Sequence, residues 1–292
     1  MSVVVVTGAS AFIGRQVVEA LGDAPFEVIA VCRRPPEPPE HIGKPVRWQQ
    51  LDLMDASAVT RFFSTSKPTH LMHLAWCAGS PTYRSDPANR AWARASASLA
   101  RDFYDNGGQR AVFAGTSVEY QAPETRSLYA QSKIAAAAAM SAHAGSRGRR
   151  FAWGRIFLPY GPHDAPHRLV PSVIDALLAD RTAHCSPGEQ LRDFVHVSDV
   201  ASALVTLLRS ERDGPVDVGM GNGSTIRNVA QEIARLMDRP ELVRFDGASP
   251  DASEPASLIA DESALRALGW HARTLEIGLA QTIAWHRART VA

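Results

Sequence analysis

The stretch SVVVVTGASAFIG, residues 2–14, decides the fold. It begins with a β-branched run that ends at Thr7 and predicts a buried strand. Gly8 then permits a tight turn, and from residue 14 onward apolar residues recur with helical spacing. Because strand, glycine turn and helix follow one another directly, the stretch predicts the first unit of a parallel α/β fold.

The same alternation of strand and helix continues well beyond this opening. Strands are predicted at residues 27–32, 48–51, 70–75, 111–115 and 151–157, and helices at 55–63, 87–104 and around Tyr129. Elements that alternate in this way predict a doubly wound parallel (Rossmann) sheet covered on both faces. Beyond Pro159, proline and glycine are frequent between helical stretches at 198–209, 225–238 and 274–287. This part of the chain is expected to form a smaller C-terminal region.

Charge and composition narrow the class of partner. The 292 residues include 30 acidic and 31 basic side chains, so no uniformly positive field favours nucleic acid or a membrane surface. The start lacks the basic region and cleavage site of a signal peptide, and no segment reaches the length of a membrane span. Three cysteines without metal-type spacing predict neither a metal site nor a disulfide framework. We therefore expect a soluble, cytoplasmic protein that acts on small molecules.

The glycine turn has the chemistry of a phosphate site. The pattern Gly8-x-x-Ala11-x-x-Gly14 stands where the first strand meets the first helix. Gly14 lets the helix pack closely on the strand, and exposed backbone N–H groups with the helix dipole suit a pyrophosphate. A tight turn without ligand is the alternative, and Ala11 replaces the usual middle glycine. The expected contact residues are Gly8, Ser10, Ala11, Phe12, Ile13 and Gly14.

The end of the second strand discriminates between the two nicotinamide dinucleotides. A fold that binds NAD usually carries an acid about 20 residues after the turn, where it hydrogen-bonds the ribose 2′-hydroxyl. Here the sequence reads Cys32-Arg33-Arg34, so the acid is missing and two guanidinium groups follow. They supply bidentate partners for a 2′-phosphate. We predict NADP(H) as the cofactor; the alternative is that both arginines are simply solvated.

Two later segments carry a family resemblance. SLYAQSK, residues 127–133, contains a Tyr-x-x-x-Lys pattern, and RDFVHVSDVA occupies residues 192–201. With the glycine turn, they resemble the extended short-chain dehydrogenase/reductase family, and more narrowly its nucleotide-sugar epimerases, dehydratases and 4-ketoreductases. LDL at 51–53 and HLAW at 73–76 are similar to cofactor-binding segments of that family. The resemblance implies that the cofactor contacts Asp52, Leu53, Leu74 and Ala75.

The resemblance also implies a catalytic triad of Thr116, Tyr129 and Lys133. On a helix, Tyr129 and Lys133 lie one turn apart on the same face, and a nearby ammonium lowers the pKa of a tyrosine. In the family the threonine hydroxyl binds the substrate oxygen, the tyrosine exchanges a proton, and the lysine also holds the nicotinamide ribose. The alternative is a Tyr and a Lys that meet on a solvated helix surface.

The residues after Thr116 limit which reactions of the family are expected. Dehydratases of the family follow it with an acid that serves elimination, and reductases that also epimerise place a cysteine at the position of Val118. This chain reads Thr116-Ser117-Val118, and strand alternation predicts that Glu119 points away from the site. Two reactions of the family remain. One is a 4-ketoreductase with exchangeable NADPH, and the other is a 4-epimerase with tightly held NAD. The NADP-type strand end favours reduction of a nucleotide-linked 4-keto-6-deoxyhexose. A non-catalytic NADP-sensing module is the third alternative.

Substrate contacts and domain limits follow from the same resemblance. It implies that Arg192 binds the nucleotide diphosphate and that the substrate also contacts Thr116, Ser117 and Tyr129. Residues 1–158 are predicted to form the NADP-binding Rossmann domain, to which residues 192–210 return. Residues 159–191 and 211–292 are predicted to bind the nucleotide-sugar substrate. The two long helices imply a homodimer, as in other members of the family.

Overall fold

The chain forms two compact units. The computed structural model describes residues 2–22, 24–35, 46–248 and 254–291. One unit comprises residues 1–155 and 201–216, and the other comprises residues 156–200 and 217–292. The sequence predicts that the first domain ends at residue 158 and that residues 192–210 return to it. In the structure the returning segment begins only at residue 201, so Arg192 lies in the second unit. The assignment of cofactor to one unit and substrate to the other stays a prediction.

The strands and helices of the described residues follow the predicted alternation. The strands are β1 (Ser2–Thr7), β2 (Phe26–Cys32), β3 (Val46–Gln50), β4 (His70–His73), β5 (Arg110–Thr116), β6 (Arg150–Ile156), β7 (Leu158–Tyr160), β8 (Ala183–His184), β9 (Leu191–Arg192), β10 (Phe194–His196), β11 (Gly214–Val218), β12 (Ser224–Thr225), β13 (Val243–Arg244) and β14 (Ser257–Leu258). The α-helices are α1 (Phe12–Ala20), α2 (Ala56–Ser66), α3 (Ala88–Asp105), α4 (Leu128–Gly145), α5 (Leu169–Leu178), α6 (Val197–Arg209), α7 (Ile226–Met237), α8 (Ser263–Ala267) and α9 (Leu275–Val291). Short 3-10 helices lie at Ser117–Tyr120, Pro123–Thr125 and Pro240–Leu242. Each predicted strand and helix is present, with ends that differ by a few residues.

The largest sheet of the described residues has seven strands in the order β11-β6-β5-β4-β1-β2-β3. β1 is parallel to both of its neighbours, and Val5 pairs with Ile29 of β2 and with Leu71 of β4. The pairs β2 with β3 and β4 with β5 are also parallel. This order confirms the predicted doubly wound α/β fold. The strand order reverses between β1 and β4, and folds of this class bind ligands at the carboxyl ends of the strands there.

Apolar side chains cover the central strands on both faces. Val4, Val5 and Val6 of β1 are completely buried, although successive strand residues point to opposite faces. The main cluster joins the strands to α2, α3 and α4 through large side chains such as Phe63 and Phe103. Burial on both faces explains why β1 is a continuous run of valine rather than an apolar and polar alternation.

The second unit has a core of its own around α5, α7 and α9. Two short parallel pairs form there, β7 with β10 and β8 with β13, and β9 lies between β12 and β14. The sequence pattern does not predict α5, because its segment contains Pro171 and follows several proline and glycine residues. In the structure Pro171 occupies the first turn of α5, where a backbone N–H has no partner within the helix.

Arg110 ties the start of β5 to the end of α6. Its guanidinium group donates to the carbonyl oxygens of Leu207 and Leu208 at 2.7 to 3.2 Å and to that of Arg212 at 2.6 Å. It also pairs with the carboxylate of Asp213 at 2.7 Å. The last carbonyl groups of a helix have no partner further along the helix, so the buried arginine satisfies them.

Replacing Arg110 with methionine is expected to lower the free energy of unfolding by about 3 kcal/mol, because buried carbonyl groups and Asp213 lose a charged donor. Urea denaturation followed by circular dichroism measures this loss. Arg101→Met is the control, since Arg101 lies on α3 with a side chain that is 55% exposed. Equal stability of the two variants would contradict the role given to Arg110.

Candidate active site

Close backbone contacts require glycine at two positions of the β1–α1 turn. Gly8 has a φ of +69°, and a Cβ there would lie 2.9 Å from the backbone nitrogen of Ala75. A Cβ on Gly14 would overlap the carbonyl oxygen of Gly8, so only glycine lets α1 start this close to the turn. Ala11 precedes α1 and offers no side chain to cap it. The first-turn amides of Phe12, Ile13 and Gly14 therefore suit an anion such as a pyrophosphate.

The other predicted cofactor residues lie at the carboxyl ends of neighbouring strands. Arg33 and Arg34 follow the last residue of β2, and both are exposed. The backbone N–H groups of Leu74 and Ala75, after β4, face the carbonyl and hydroxyl oxygens of Thr7 at 3.3 and 3.4 Å. Adjacent parallel strands end at the same edge of a sheet, so the fold brings these positions together with the glycine turn.

Three further predicted positions differ in what they offer a ligand. The carbonyl oxygen of Ser10 accepts a hydrogen bond from Nε of Arg15 at 2.9 Å. Asp52 follows β3, and its carboxylate accepts from the N–H of Met54 at 2.9 Å. Leu53 is 8% exposed and packs in the main core, so any contact that it makes with a cofactor uses its backbone. The residues present at this edge fit a nicotinamide dinucleotide, and the contact of a 2′-phosphate with Arg33 and Arg34 stays a prediction.

The three predicted catalytic residues come from β5 and α4. Thr116 is the last residue of β5 and caps the 3-10 helix Ser117–Tyr120. Ser127 caps α4, because its hydroxyl accepts from the N–H of Ala130 at 3.2 Å, and this fixes the turn that carries Tyr129. Nζ of Lys133 donates to the carbonyl oxygen of Ala114 in β5 at 2.9 Å. The lysine therefore joins the tyrosine helix to the strand of the threonine.

The ammonium of Lys133 lies over an aromatic ring. Its Nζ is 3.9 Å from the ring centroid of Trp76, the last residue of the HLAW segment, and 5.8 Å from that of Tyr129. Burial lowers the pKa of Lys133 to about 7, and the nearby charge of Glu119 opposes this shift. Sequence reasoning missed Trp76, because nothing in the local pattern shows that its ring meets a residue of α4. A cation–π contact partly offsets the cost of burying the ammonium.

A buried amide positions the rings beside Tyr129. The ring of Tyr129 meets those of Tyr83 and Trp76 edge-on, with centroids 5.0 and 6.2 Å away. Asn89 accepts from Nε1 of Trp76 at 2.8 Å and donates to the carbonyl oxygens of Tyr83 and Asp86 at 2.7 and 2.9 Å. One asparagine side chain on α3 thus holds both neighbours of the tyrosine. Sequence reasoning missed it as well, since its partners are loop carbonyls.

The strand geometry from which the direction of Glu119 was predicted is wrong. β5 ends at Thr116, so the alternation of a strand does not extend to residues 117–120, which form a 3-10 helix. The carboxylate of Glu119 turns back and accepts from the N–H of Thr116 at 2.8 Å and from Nε1 of Trp153 at 3.0 Å. A threonine followed by glutamate three residues later is the signal of a capping box, which could have revealed this arrangement.

Ser117 and Val118 are both buried after Thr116. They are 2% and 9% exposed, and Val118 packs in one cluster with Tyr129 and Ala130. An apolar side chain therefore lies beside the tyrosine, at the position where dehydratases or epimerising reductases would need an acid or a thiol. Ser117 provides a hydroxyl group in this segment, and its contact with substrate stays a prediction.

Arg192 lies on β9 in the second unit. Its guanidinium donates to the carbonyl oxygens of Leu191 and Pro255 at 2.9 Å and pairs with the carboxylate of Glu254 at 3.1 Å. The residue is 5% exposed. The predicted contact with a nucleotide diphosphate would therefore require the anion to share or replace Glu254. The pairing with Glu254 could not be read from the sequence, because the two residues are far apart in it.

The described residues contain neither a membrane-spanning helix nor a metal-binding cluster. None of their helices combines the length and the apolar character needed to cross a membrane. In the same part of the chain, no group of three His, Cys, Asp or Glu side chains is placed to hold a metal ion.

Comparison with known proteins identifies the family. Residues 4–221 match the model of the NAD dependent epimerase/dehydratase family. The chain belongs to this family. The resemblance stated from the glycine turn and the Tyr-x-x-x-Lys pattern is therefore confirmed, and the chain is an enzyme of the NAD-dependent epimerase/dehydratase superfamily.

Several known proteins are similar to this chain over part or nearly all of its length. GDP-L-fucose synthase of Escherichia coli (strain K12) is 34% identical over an alignment of 185 residues that covers 55% of this chain and 56% of that protein. dTDP-4-dehydro-6-deoxy-D-allose reductase of Streptomyces bikiniensis is 26% identical over 98% of this chain and 97% of its own. Among solved structures, UDP-glucose 4-epimerase of Thermus thermophilus, in complex with NAD, has a TM-score of 0.83 and 26% identity, with 98% and 99% of the two chains covered.

Lys133→Met is expected to stabilise the fold at low pH more than at high pH. The pKa of Lys133 is about 7 in the folded chain and about 10.4 when unfolded, so the unfolded state binds more protons between these values. Stability of the natural chain therefore rises with pH across this window, and the buried ammonium costs most below pH 7. We expect the variant to melt about 5 °C higher at pH 6, with a difference that shrinks toward pH 10. Thermal unfolding at both pH values tests this, and a constant difference would contradict it.

Proposed function

We propose that this chain reduces the 4-keto group of a nucleotide-linked 4-keto-6-deoxyhexose with NADPH. The observation that carries the proposal is the packing of Val118 against Tyr129. Reduction at one carbon needs a hydroxyl donor and a hydride, whereas elimination or epimerisation beside the carbonyl also needs an acid or a thiol at this place. The similarity to a dTDP-4-dehydro-6-deoxy-D-allose reductase over almost the whole chain supports the same reaction.

Each of the three predicted catalytic groups has one task in this reaction. The hydroxyl of Thr116 donates a hydrogen bond to the keto oxygen and orients the carbonyl carbon. The phenol of Tyr129 gives its proton to the same oxygen as the carbonyl becomes an alcohol, and the Lys133 ammonium stabilises the phenolate that forms. The bound nicotinamide supplies the hydride. Solvent then returns the proton to Tyr129.

The enclosure of the site suits such a proton transfer. Tyr129 is 8% exposed and Lys133 is 4% exposed, so both groups act in surroundings from which most water is excluded. Charges and hydrogen bonds are stronger in such surroundings than in water. The rings of Trp76 and Tyr83 pack beside Tyr129 and keep water away from that side of the phenol.

A second candidate function is a nucleotide-sugar 4-epimerase. The likeness to a UDP-glucose 4-epimerase that was solved with NAD favours it. An epimerase returns the hydride to its substrate, so cofactor would survive purification and turnover would need no added NADPH. The proposed reductase instead consumes one NADPH for each sugar. A panel of 4-keto nucleotide sugars, followed by the absorbance of the reduced nicotinamide, separates the two, and turnover of 4-hydroxy sugars without cofactor would replace our proposal.

Tyr129→Phe is expected to lower kcat by about 10²- to 10⁴-fold and to leave NADPH binding within about twofold, because only the proton donor is lost. Turnover assays and fluorescence titration with NADPH measure the two effects. Tyr120→Phe serves as the control, since Tyr120 is 47% exposed and its ring lies against Arg155. Unchanged turnover in Tyr129→Phe would remove the proposed mechanism, whereas NADPH binding without turnover of any sugar by the natural chain would favour the non-catalytic NADP-sensing module.

Replacing Arg33 and Arg34 together with alanine is expected to raise KM for NADPH by about tenfold or more, because a 2′-phosphate loses its charged partners. KM for NADH, which lacks that phosphate, should change little. Arg101→Ala provides the control, since Arg101 is an exposed residue on α3. A natural enzyme that prefers NADH, or a double variant with the same KM for NADPH, would contradict the choice of NADP(H).

A further inference from the structure

Glu119 lies behind the predicted catalytic groups and touches the backbone of one of them. Its carboxylate accepts from the N–H of Thr116 at 2.8 Å, while the hydroxyl of Thr116 lies 3.5 Å from the N–H of Val118. These two contacts form a reciprocal cap at the end of β5. We propose that Glu119 is a positioning residue that fixes Thr116 and supplies the negative charge that keeps Lys133 an ammonium. This role rests on the proposed function, because Thr116 and Lys133 act in the reaction.

Trp153 connects the carboxylate to the lysine. Nε1 of the indole donates to both oxygens of Glu119 at 3.0 and 3.1 Å. The ring centroid of Trp153 is 5.8 Å from Nζ of Lys133, so the indole contacts the anion and lies close to the cation. A Cβ on Gly115 would overlap this Nε1, and therefore only glycine at 115 allows the indole to reach Glu119. Gly115, Glu119 and Trp153 thus build one layer beneath the catalytic groups.

Among the described residues, no other charged or titratable group near Lys133 supplies the same negative charge. His73 of β4 faces Lys133, but burial lowers its pKa to about 3, so it is neutral near pH 7. Arg155 of β6 is a cation near Glu119, and Tyr129 of α4 is the proposed proton donor. Burial raises the pKa of Glu119, whereas the Thr116 N–H, the indole and the charges of Lys133 and Arg155 favour its carboxylate form. Glu119 is the group that opposes the loss of the lysine proton.

The substitution Glu119→Gln separates charge from hydrogen bonding. Glutamine keeps an oxygen that accepts from Thr116 and Trp153, but it carries no charge. The pKa of Lys133 is therefore expected to fall by about one unit, since an opposite charge at short range raises the pKa of a lysine by amounts of this order. The alkaline limb of kcat/KM should move to lower pH by the same amount. Glu124→Gln provides a matched control, because Glu124 is exposed in the next 3-10 helix.

The lysine can be observed without any substrate. The chain contains three lysines, Lys44, Lys67 and Lys133. Lysine labelled with ¹³C at Cε therefore gives three resonances, and the one that is absent from Lys133→Met belongs to Lys133. Its titration in the natural chain, in Glu119→Gln and in Glu124→Gln gives the pKa directly. A downward shift in Glu119→Gln alone supports the proposal, and three superimposable titration curves would overturn it.

A second variant tests the positioning role. Glu119→Asp keeps the charge but is one methylene too short to reach both donors, so we expect the lysine titration to stay near that of the natural chain while kcat falls several-fold. An unchanged kcat would contradict the role of the cap at Thr116. If no sugar is turned over by the natural chain, the proposed reaction fails, whereas the lysine titration still decides whether Glu119 holds the charge of Lys133.

Discussion

A buried lysine ammonium is the constraint around which the predicted catalytic region is built. Lys133 is 4% exposed, and burial of a charge is costly unless partners compensate it. The structure places a carbonyl oxygen of β5, the face of Trp76 and the charge of Glu119 around it. Each partner comes from a different element. The buried lysine depends on all three partners to hold a proton near pH 7, and because the unfolded lysine titrates at higher pH, folding is coupled to the charge state of the site.

The sheet explains how these elements meet. β1 is parallel to β2 and β4, and β4 is parallel to β5, so the carboxyl ends of these strands share one edge. Gly8 follows β1, Arg33 follows β2, Ala75 follows β4 and Thr116 ends β5. A residue placed after any of these strands is brought to the same edge irrespective of its distance along the chain. The turn at Gly8 and the loop at Ala75 approach so closely that no side chain fits between them.

Sequence patterns predicted the parts of the molecule that depend on local periodicity. The strands and helices followed from apolar spacing, and the turn of Gly8 and Gly14 and the pair of Tyr129 and Lys133 followed from spacing and resemblance. The missed features depend on partners distant in sequence. Trp76 meets Lys133, and Asn89 holds loop carbonyls, in contacts that no local pattern reveals. The contacts of Glu119 were missed because β5 was extended past Thr116, and a period of two was applied to a 3-10 helix.

The residues predicted to transfer the proton and the residues predicted to select the cofactor lie in opposite surroundings. Tyr129 and Lys133 are buried, where a proton can be held or released with little interference from water. Arg33 and Arg34 lie at the surface after β2, where a charged cofactor can bind and leave. An enzyme that consumes its reduced cofactor must release the oxidised form after each turnover, whereas an epimerase has no such need. Placing the cofactor's predicted charged partners at the surface, and not in the core, therefore agrees better with an exchangeable cofactor than with a permanently held one.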